Sequence, residues 1–158
     1  MQRTSGMRAG ELCIRDVVTA FEDESALDVA RRMAEYRVGD VIVVADQPPA
    51  LPRPIGIVTD RDLVVQVLAR PDRVPANVRV ADVMRRELVV AREDDDIEHI
   101  VAQMREAVIR RIPIVDADDG LQGLLSIDDV LGWMRDQLDA ATETVERQGR
   151  HVMTARSR

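Results

Sequence analysis

The chain carries one message twice, and this duplication limits its fold more than any other feature. Gly56-Ile57-Val58-Thr59-Asp60-Arg61-Asp62 returns as Gly123-Leu124-Leu125-Ser126-Ile127-Asp128-Asp129. Both copies read glycine, two apolar residues, a hydroxyl, two variable residues and an aspartate. Upstream, an offset of 71 aligns the stretch from Glu11 to Val44 with its counterpart, with Arg15/Arg86, Glu22/Glu93, Met33/Met104 and Val44/Val115 among the identities. At the signatures the offset is 67, so the first copy holds four extra residues (71 − 67). The proline-rich stretch from Asp46 to Pro54 is their place. The second copy has the tighter Asp116-Ala117-Asp118-Asp119-Gly120, whose end reads as a hairpin turn. Shared register, pattern and motif together define an internal repeat.

Each copy has the order β-α-β-β-α. A short apolar stretch (Val17-Val18; Leu88-Val89-Val90) precedes an acidic cluster that suits the first turn of a helix. The helix faces are Ala26, Val29, Ala30, Met33 and Ile97, Ile100, Val101, Met104, at helical spacing. Strands follow at 41–44 and 112–115, then at 55–58 and 121–125, and closing helices start at Thr59 and Ser126. The first closing helix stops near Ala69, before Pro71. The second runs on through Val130, Leu131, Met134 and Leu138, with a frayed tail expected from Gln148. The expected division is an N-terminal segment 1–10, repeat 1 at 11–70, a linker at 71–79, repeat 2 at 80–133, and an extension and tail at 134–158.

Composition narrows the function. With 158 residues, 46% of them hydrophobic, the chain supports one domain or two small halves on a shared core. Aromatic content of 2% leaves the core to Val, Ile, Leu, Ala and Met and argues against stacking on nucleic-acid bases. The net charge of −7 also argues against nucleic acid as a partner. All 22 basic residues are arginine, which excludes a phosphate-loop lysine and a Schiff-base lysine. No set of His, Cys and acids has metal-site spacing, and no nucleophile–base–orienter set is visible, so neither a metal nor an enzyme is expected. Asp116 to Gly120 resembles a calcium loop only superficially, because the glycine falls one position early and Ile127 stands where a glutamate is needed. A lone Cys13, no secretory pattern in 1–10 and no run of about 20 apolar residues give the expectation of a cytoplasmic chain without a membrane segment. Cys13 aligns with Met84 and reads as a packing thiol; Trp133 and Met134 read as core or dimer contacts.

The signatures allow two chemistries. Thr59 with Asp62, and Ser126 with Asp129, match a capping box in which hydroxyl and acid each serve a backbone N–H. Alternatively, the helix start and hydroxyl hold a phosphate, while the carboxylate accepts from ribose hydroxyls. Gly56 and Gly123 keep the strand thin where a backbone or a ligand approaches. The two readings coexist in one geometry.

With the repeated order, the run Arg111-Ile112-Pro113-Ile114-Val115-Asp116 and both signatures, the chain resembles a tandem CBS-domain protein (a Bateman module) of the stand-alone bacterial type, from about Glu11 to Trp133. The resemblance implies an α+β (mixed α/β) fold of two repeats packed about a pseudo-twofold axis. It further implies two clefts for adenosine-containing ligands such as AMP, ADP, ATP, NAD or S-adenosylmethionine. No obligatory cofactor is implied; the adenine nucleotide is a regulatory ligand in an energy sensor or other signal-transduction module. A homodimer and an effector protein are the expected partners. The rival is a ligand-free dimerisation scaffold. The site residues so implied are Thr59, Arg61, Asp62, Ser126 and Asp129, with Val38, Gly39, Asp40, Arg110, Arg111, Ile112 and Pro113 as cleft lining.

The copies differ. Ile42 stands where the second copy has Pro113, and Gly39-Asp40 where it has Arg110-Arg111. Asp40 aligns with Arg111 and Arg61 with Asp128, so acid and base exchange places at two positions. Either these positions pair within each repeat at the cleft rim, Asp40 with Arg61 and Arg111 with Asp128, or they drift independently on solvated surface.

Overall fold

The computed structural model describes residues 6–45 and 51–155, with side chains as far as residue 147. The first half holds helix α1 (Ala9–Leu12), strand β1 (Thr19–Phe21), helix α2 (Ala26–Tyr36), strands β2 (Asp40–Val44) and β3 (Pro54–Thr59), and helix α3 (Asp60–Leu63), which continues as a π turn over Val64–Leu68. The second half repeats the plan with β4 (Ala91–Arg92), α4 (Ile97–Ala107), β5 (Arg111–Val115), β6 (Leu121–Ser126) and α5 (Ile127–Ala155). Two three-stranded sheets result, β1-β2-β3 and β4-β5-β6, each with one parallel and one antiparallel pairing. The register shifts at Val43/Val44 in one sheet and at the equivalent Ile114/Val115 in the other. The α+β reading of the sequence is therefore borne out.

Local chemistry explains the elements. Ser25 caps α2 by accepting from the Asp28 N–H, and Ala26, Val29 and Met33 form its buried face. In α4 the same positions are Ile97, Ile100 and Met104, but Asp96 makes no side-chain cap bond. Both helices end on a left-handed residue, Arg37 at φ 55° and Val108 at φ 54°. Asp116 organises the tight β5–β6 turn by accepting from the Asp118 and Gly120 N–H groups, which holds its carboxyl below the usual range. The turn therefore needs no calcium ion to hold it. The proline-rich loop lies partly outside the described residues.

Three features differ from the sequence reading. The parallel ladders begin at Thr19 and Ala91, after the apolar stretches thought to form the first strands, because Val17 and Val18 line a cleft instead. Helix α5 continues to Ala155, past the expected start of fraying at Gln148. Most importantly, each repeat donates its leading segment to the other.

Residues Met7, Ala9, Leu12 and Cys13 pack into the core of the second half, around Ile100, Ile112, Ile114 and Leu125. Reciprocally, Val78, Val80, Val83 and Met84 complete the core of the first half, around Val29, Val41 and Val58. The hydrogen bonds obey the same exchange. Ile14 pairs antiparallel with Leu124, and its equivalent Arg85 with Ile57. Arg15 bridges to Glu93 at 2.6 Å, and Arg86 to Glu22 at 3.3 Å. Each contact recurs with the halves swapped, which is what a pseudo-twofold axis requires. Ile42, Val44 and Leu121 form a third buried cluster joining the halves.

The glycine of each signature serves this exchange. A Cβ on Gly123 would stand 2.5 Å from Cys13 Sγ and 2.9 Å from the Ile14 carbonyl oxygen; one on Gly56 would stand 2.7 Å from Met84 Sδ and 3.0 Å from the Arg85 carbonyl oxygen. A partner backbone, rather than a ligand, sets the need for glycine here. Cys13 is accordingly a packing residue, partly buried, with burial pushing its thiol up and away from a reactive thiolate.

Candidate functional site

Both signatures form complete capping boxes. Thr59 Oγ1 accepts from the Asp62 N–H at 3.1 Å, while Asp62 Oδ2 accepts from the Thr59 N–H at 3.0 Å and its hydroxyl at 2.6 Å. Ser126 and Asp129 repeat this at 3.1, 2.9 and 2.5 Å. In each carboxylate Oδ2 carries the cap. Oδ1 makes no hydrogen bond among the described residues, so capping leaves an acceptor for a ligand.

The second signature opens onto a cavity of about 220 Å³. Ser126 and Asp129 meet there with Val38, Gly39 and Asp40 from the α2–β2 corner of the other repeat, and with Arg111. The strand exchange adds Ile14, Asp16, Val17 and Val18, and Arg37 and Leu124 complete the wall. The first six are residues singled out from the sequence; the others are not. The exchanged strand is what brings Ile14 to Val18 in, through the Ile14–Leu124 pairing. A hint lay in the sequence, since a glycine in both β3 and β6 announces a crossing backbone.

The first signature stands at the pseudo-equivalent position, with a different neighbour. Where Asp129 shares its cavity with Ile14, Asp62 has Arg85, whose Nε lies 3.8 Å from Asp62 Oδ2. The supporting helices differ as well: α5 runs 29 residues from Ser126, whereas α3 has four α-helical residues before its π turn.

The remaining expected residues lie elsewhere. Ile112 is fully buried in the second core and lines no cleft, because strand alternation turns it toward α4. Pro113 is buried on β5 opposite Leu124. Arg110 is exposed and bridges to Asp128 at 3.1 Å. Arg61 is exposed and makes no ion pair among the described residues.

The expected pairing of charges within each repeat also needs correction. Asp40 pairs with Arg111, Oδ2 to Nε at 3.3 Å, and neither Asp40–Arg61 nor Arg111–Asp128 forms. Asp40 and Arg111 are each other's equivalents in the repeat, so the pair straddles the pseudo-twofold axis. Asp40 is the buried charged residue of the described core, and its Oδ2 accepts no well-formed hydrogen bond among those residues. Burial raises its carboxyl above the usual range, against the lowering pull of Arg111, and Asp60 adds to the rise.

Among the described residues no group of His, Cys and acids could hold a metal ion, and no helix is long and apolar enough to cross a membrane. The largest cavity, 670 Å³, lies between α4 and α5, away from both signatures.

This geometry, two interlocked repeats with a glycine-to-aspartate signature at each helix start, defines a paired nucleotide-cleft module of the Bateman type. The chain belongs to the CBS domain family, which matches residues 9–69 and 80–136. It is 35% identical over 122 residues to protein MK0525 of Methanopyrus kandleri, covering 77% of this chain and 60% of that protein. It is 31% identical to inosine-5'-monophosphate dehydrogenase of Methanocaldococcus jannaschii, covering 78% of this chain and 23% of the enzyme. The chain thus spans less than two thirds of the length of these relatives. Among solved structures, the cytosolic domain of the Mg2+ channel MgtE in complex with ATP is similar, with TM-score 0.66, 27% identity, and 79% of this chain and 48% of that one covered. The CBS pair of MJ0100 with 5'-methylthioadenosine and S-adenosyl-L-methionine shares the fold, with TM-score 0.70, 18% identity, and 83% and 98% covered.

Proposed function

We propose that this chain is a non-catalytic regulatory module that binds one adenosine-containing ligand in the Asp129 cleft. The observation that carries this reading is the convergence of Ser126 and Asp129 with Val38, Gly39 and Asp40 on one cavity, built from both repeats. Asp129 Oδ1 accepts from the ribose hydroxyls. Ile14, Val17, Val18, Val38 and Leu124 give the purine an aliphatic slot in a chain almost without aromatics. The start of α5 and the Ser126 hydroxyl face the polar tail of the ligand.

The volume bears on which part of the ligand is enclosed. Small-molecule pockets run to about 300–1,000 Å³, so a 220 Å³ cleft encloses a nucleoside and leaves its tail at the mouth. Three acids line it, Asp16, Asp40 and Asp129, against Arg37 and Arg111. That balance favours a monophosphate or a cationic tail over a triphosphate. ATP in the MgtE domain, and 5'-methylthioadenosine with S-adenosylmethionine in MJ0100, support adenosine as the common denominator. Because the cleft wall comes from both halves, occupancy biases their packing, and an effector protein reads that bias.

The test is calorimetry with adenosine, AMP, ATP, NAD and S-adenosylmethionine on the wild type and Asp129→Ala. Saturable binding by at least one of them, lost in the variant, supports the proposal; no heat with all five refutes it. A second reading, a homodimeric scaffold with unused clefts, is favoured by one observation. Val64, Val65 and Leu68 on the first closing helix, and Leu131 on the second, leave half or more of their surface exposed. Absence of nucleotide binding together with a stable dimer would select it.

A further inference from the structure

Helix α5 outlasts the body it belongs to. The family match ends at residue 136 and the helix at Ala155, leaving 19 residues (155 − 136) beyond it. Along this helix the apolar residues Leu131, Met134, Leu138, Ala141 and Val145 are spaced three, four, three and four apart. This is the heptad seam that supercoils two helices. The seam is unpartnered within the chain: Leu131 is 56% exposed, Met134 49%, Leu138 67% and Val145 69%. A lone helix of this length is marginal in water, so the extension needs a companion.

The residues flanking the seam identify the companion. They are Arg135, Gln137, Thr142 and Thr144, with a single charge among them. The Thr142 hydroxyl donates to the Leu138 carbonyl at 2.9 Å and that of Thr144 to the Ala140 carbonyl at 3.0 Å, so neither needs a partner outside the helix. The charged residues Asp136, Asp139, Glu143 and Arg147 lie off the seam, and Glu143 pairs with Arg147 at 3.6 Å. A chain of net charge −7 repels its own copies in general, but along this stripe it does not. The flanks also lack the basic belt that a membrane-surface helix carries. At its base the seam runs into the 670 Å³ groove, where Met134 and Leu138 meet Met7, Ile97 and Val101.

We propose that α5 pairs with α5 of a second copy as a two-stranded coiled coil along Leu131, Met134, Leu138, Ala141 and Val145. The small Ala141 lets the two backbones approach at mid-seam, and the second helix covers the apolar groove at the base. This assembly stands apart from nucleotide binding, whose cleft lies at the other face of the Ser126 helix start.

The experiment is sedimentation equilibrium and far-UV circular dichroism of the full chain over a concentration series. The wild type is expected to be dimeric, with helix signal falling on dilution through the dissociation constant. Leu138→Glu combined with Val145→Glu weakens association by at least about 100-fold, the loss of one or two buried side chains' worth of apolar contact. Glu143→Gln, off the seam, stays within about threefold of wild type. A double variant that associates like wild type, or a helix signal that does not change with concentration, overturns the proposal. Both substitutions lie on exposed positions outside the cores, so the body remains folded and its thermal transition checks this.

Discussion

The two clefts are products of one duplicated segment, yet they sit in different surroundings. Both keep the capping box, with nearly the same distances. What differs is the single residue that the crossing strand delivers in front of the carboxylate: Ile14 before Asp129, Arg85 before Asp62. An aliphatic side chain leaves the carboxylate to a ligand and offers the purine a dry surface. A guanidinium 3.8 Å away engages the carboxylate itself and contributes a charge to the cleft. The signature is therefore necessary for a site but does not decide which site is used. That choice rests with the other repeat.

This contrast gives the largest expected effect. Asp129→Ala removes the ribose acceptor and weakens nucleotide binding about 10–100-fold, the range for a hydrogen bond to a charged group. Asp62→Ala leaves affinity and a stoichiometry of one per chain nearly unchanged. Equal losses in the two variants, or a stoichiometry of two in calorimetry, would break the comparison. Arg85→Ile sharpens it: if Arg85 is what closes the first cleft, this variant gains a second, weaker binding step.

The crossing strands supply the next test. Gly123→Ala and Gly56→Ala each force a methyl group against a partner backbone, costing about 1–3 kcal/mol as overpacking does. The first is expected to cost more. Its methyl meets the short side chain of Cys13, whereas Gly56 faces the thioether of Met84, which is longer and yields more easily. Urea midpoints measure the difference. A larger cost at Gly56 would show that the exchanged segments are not equivalent supports.

Much of this fold was legible because its cause is local. Apolar spacing, acids before helices and the two signatures placed all the strands and helices to within a few residues. The strand exchange was less visible, since it depends on contacts between positions more than a hundred residues apart, such as Ile14 and Leu124. The charge inversion was seen but its partner was misassigned. Two columns exchange sign, and the sequence reading joined them within each repeat. Near a twofold axis, however, a residue meets its own equivalent, so Asp40 and Arg111 form the pair by themselves. Ile112 was misplaced for a simpler reason: a motif names consecutive residues, while a strand sends alternate ones to opposite faces.

A smaller asymmetry lies at the two helix ends. Arg37 and Val108 occupy the same left-handed position, and Val108 is β-branched and 89% exposed. Branching at Cβ makes that conformation costly, and exposure means no packing compensates. Val108→Gly is expected to raise stability by about 1 kcal/mol. Arg37→Gly should gain less, because an unbranched side chain tolerates the conformation better. Thermal unfolding of both variants checks the ranking, and an equal gain would mean that strain is shared evenly between the halves.

The smallest effect at neutral pH concerns the pair on the axis, and its sign follows from the burial of Asp40. A carboxyl raised in the folded state binds its proton more tightly there than in the unfolded chain. Its contribution to stability is therefore greatest at low pH and falls as pH climbs from the ordinary carboxylate value through the raised one. Asparagine cannot ionise and escapes that loss. Asp40→Asn should therefore gain on the wild type steadily between about pH 4 and about pH 7, ending within about 1 kcal/mol of it or above it. Arg111, left without its partner, is 40% exposed and recovers solvation, so no stranded buried charge offsets the gain. Denaturant unfolding of both proteins across that range isolates the difference, since every other titrating group is common to them. A constant deficit in the variant at all pH values would mean that attraction to Arg111 outweighs desolvation. The axis would then be held by its ion pair rather than by the apolar cluster of Ile42, Val44 and Leu121 beside it.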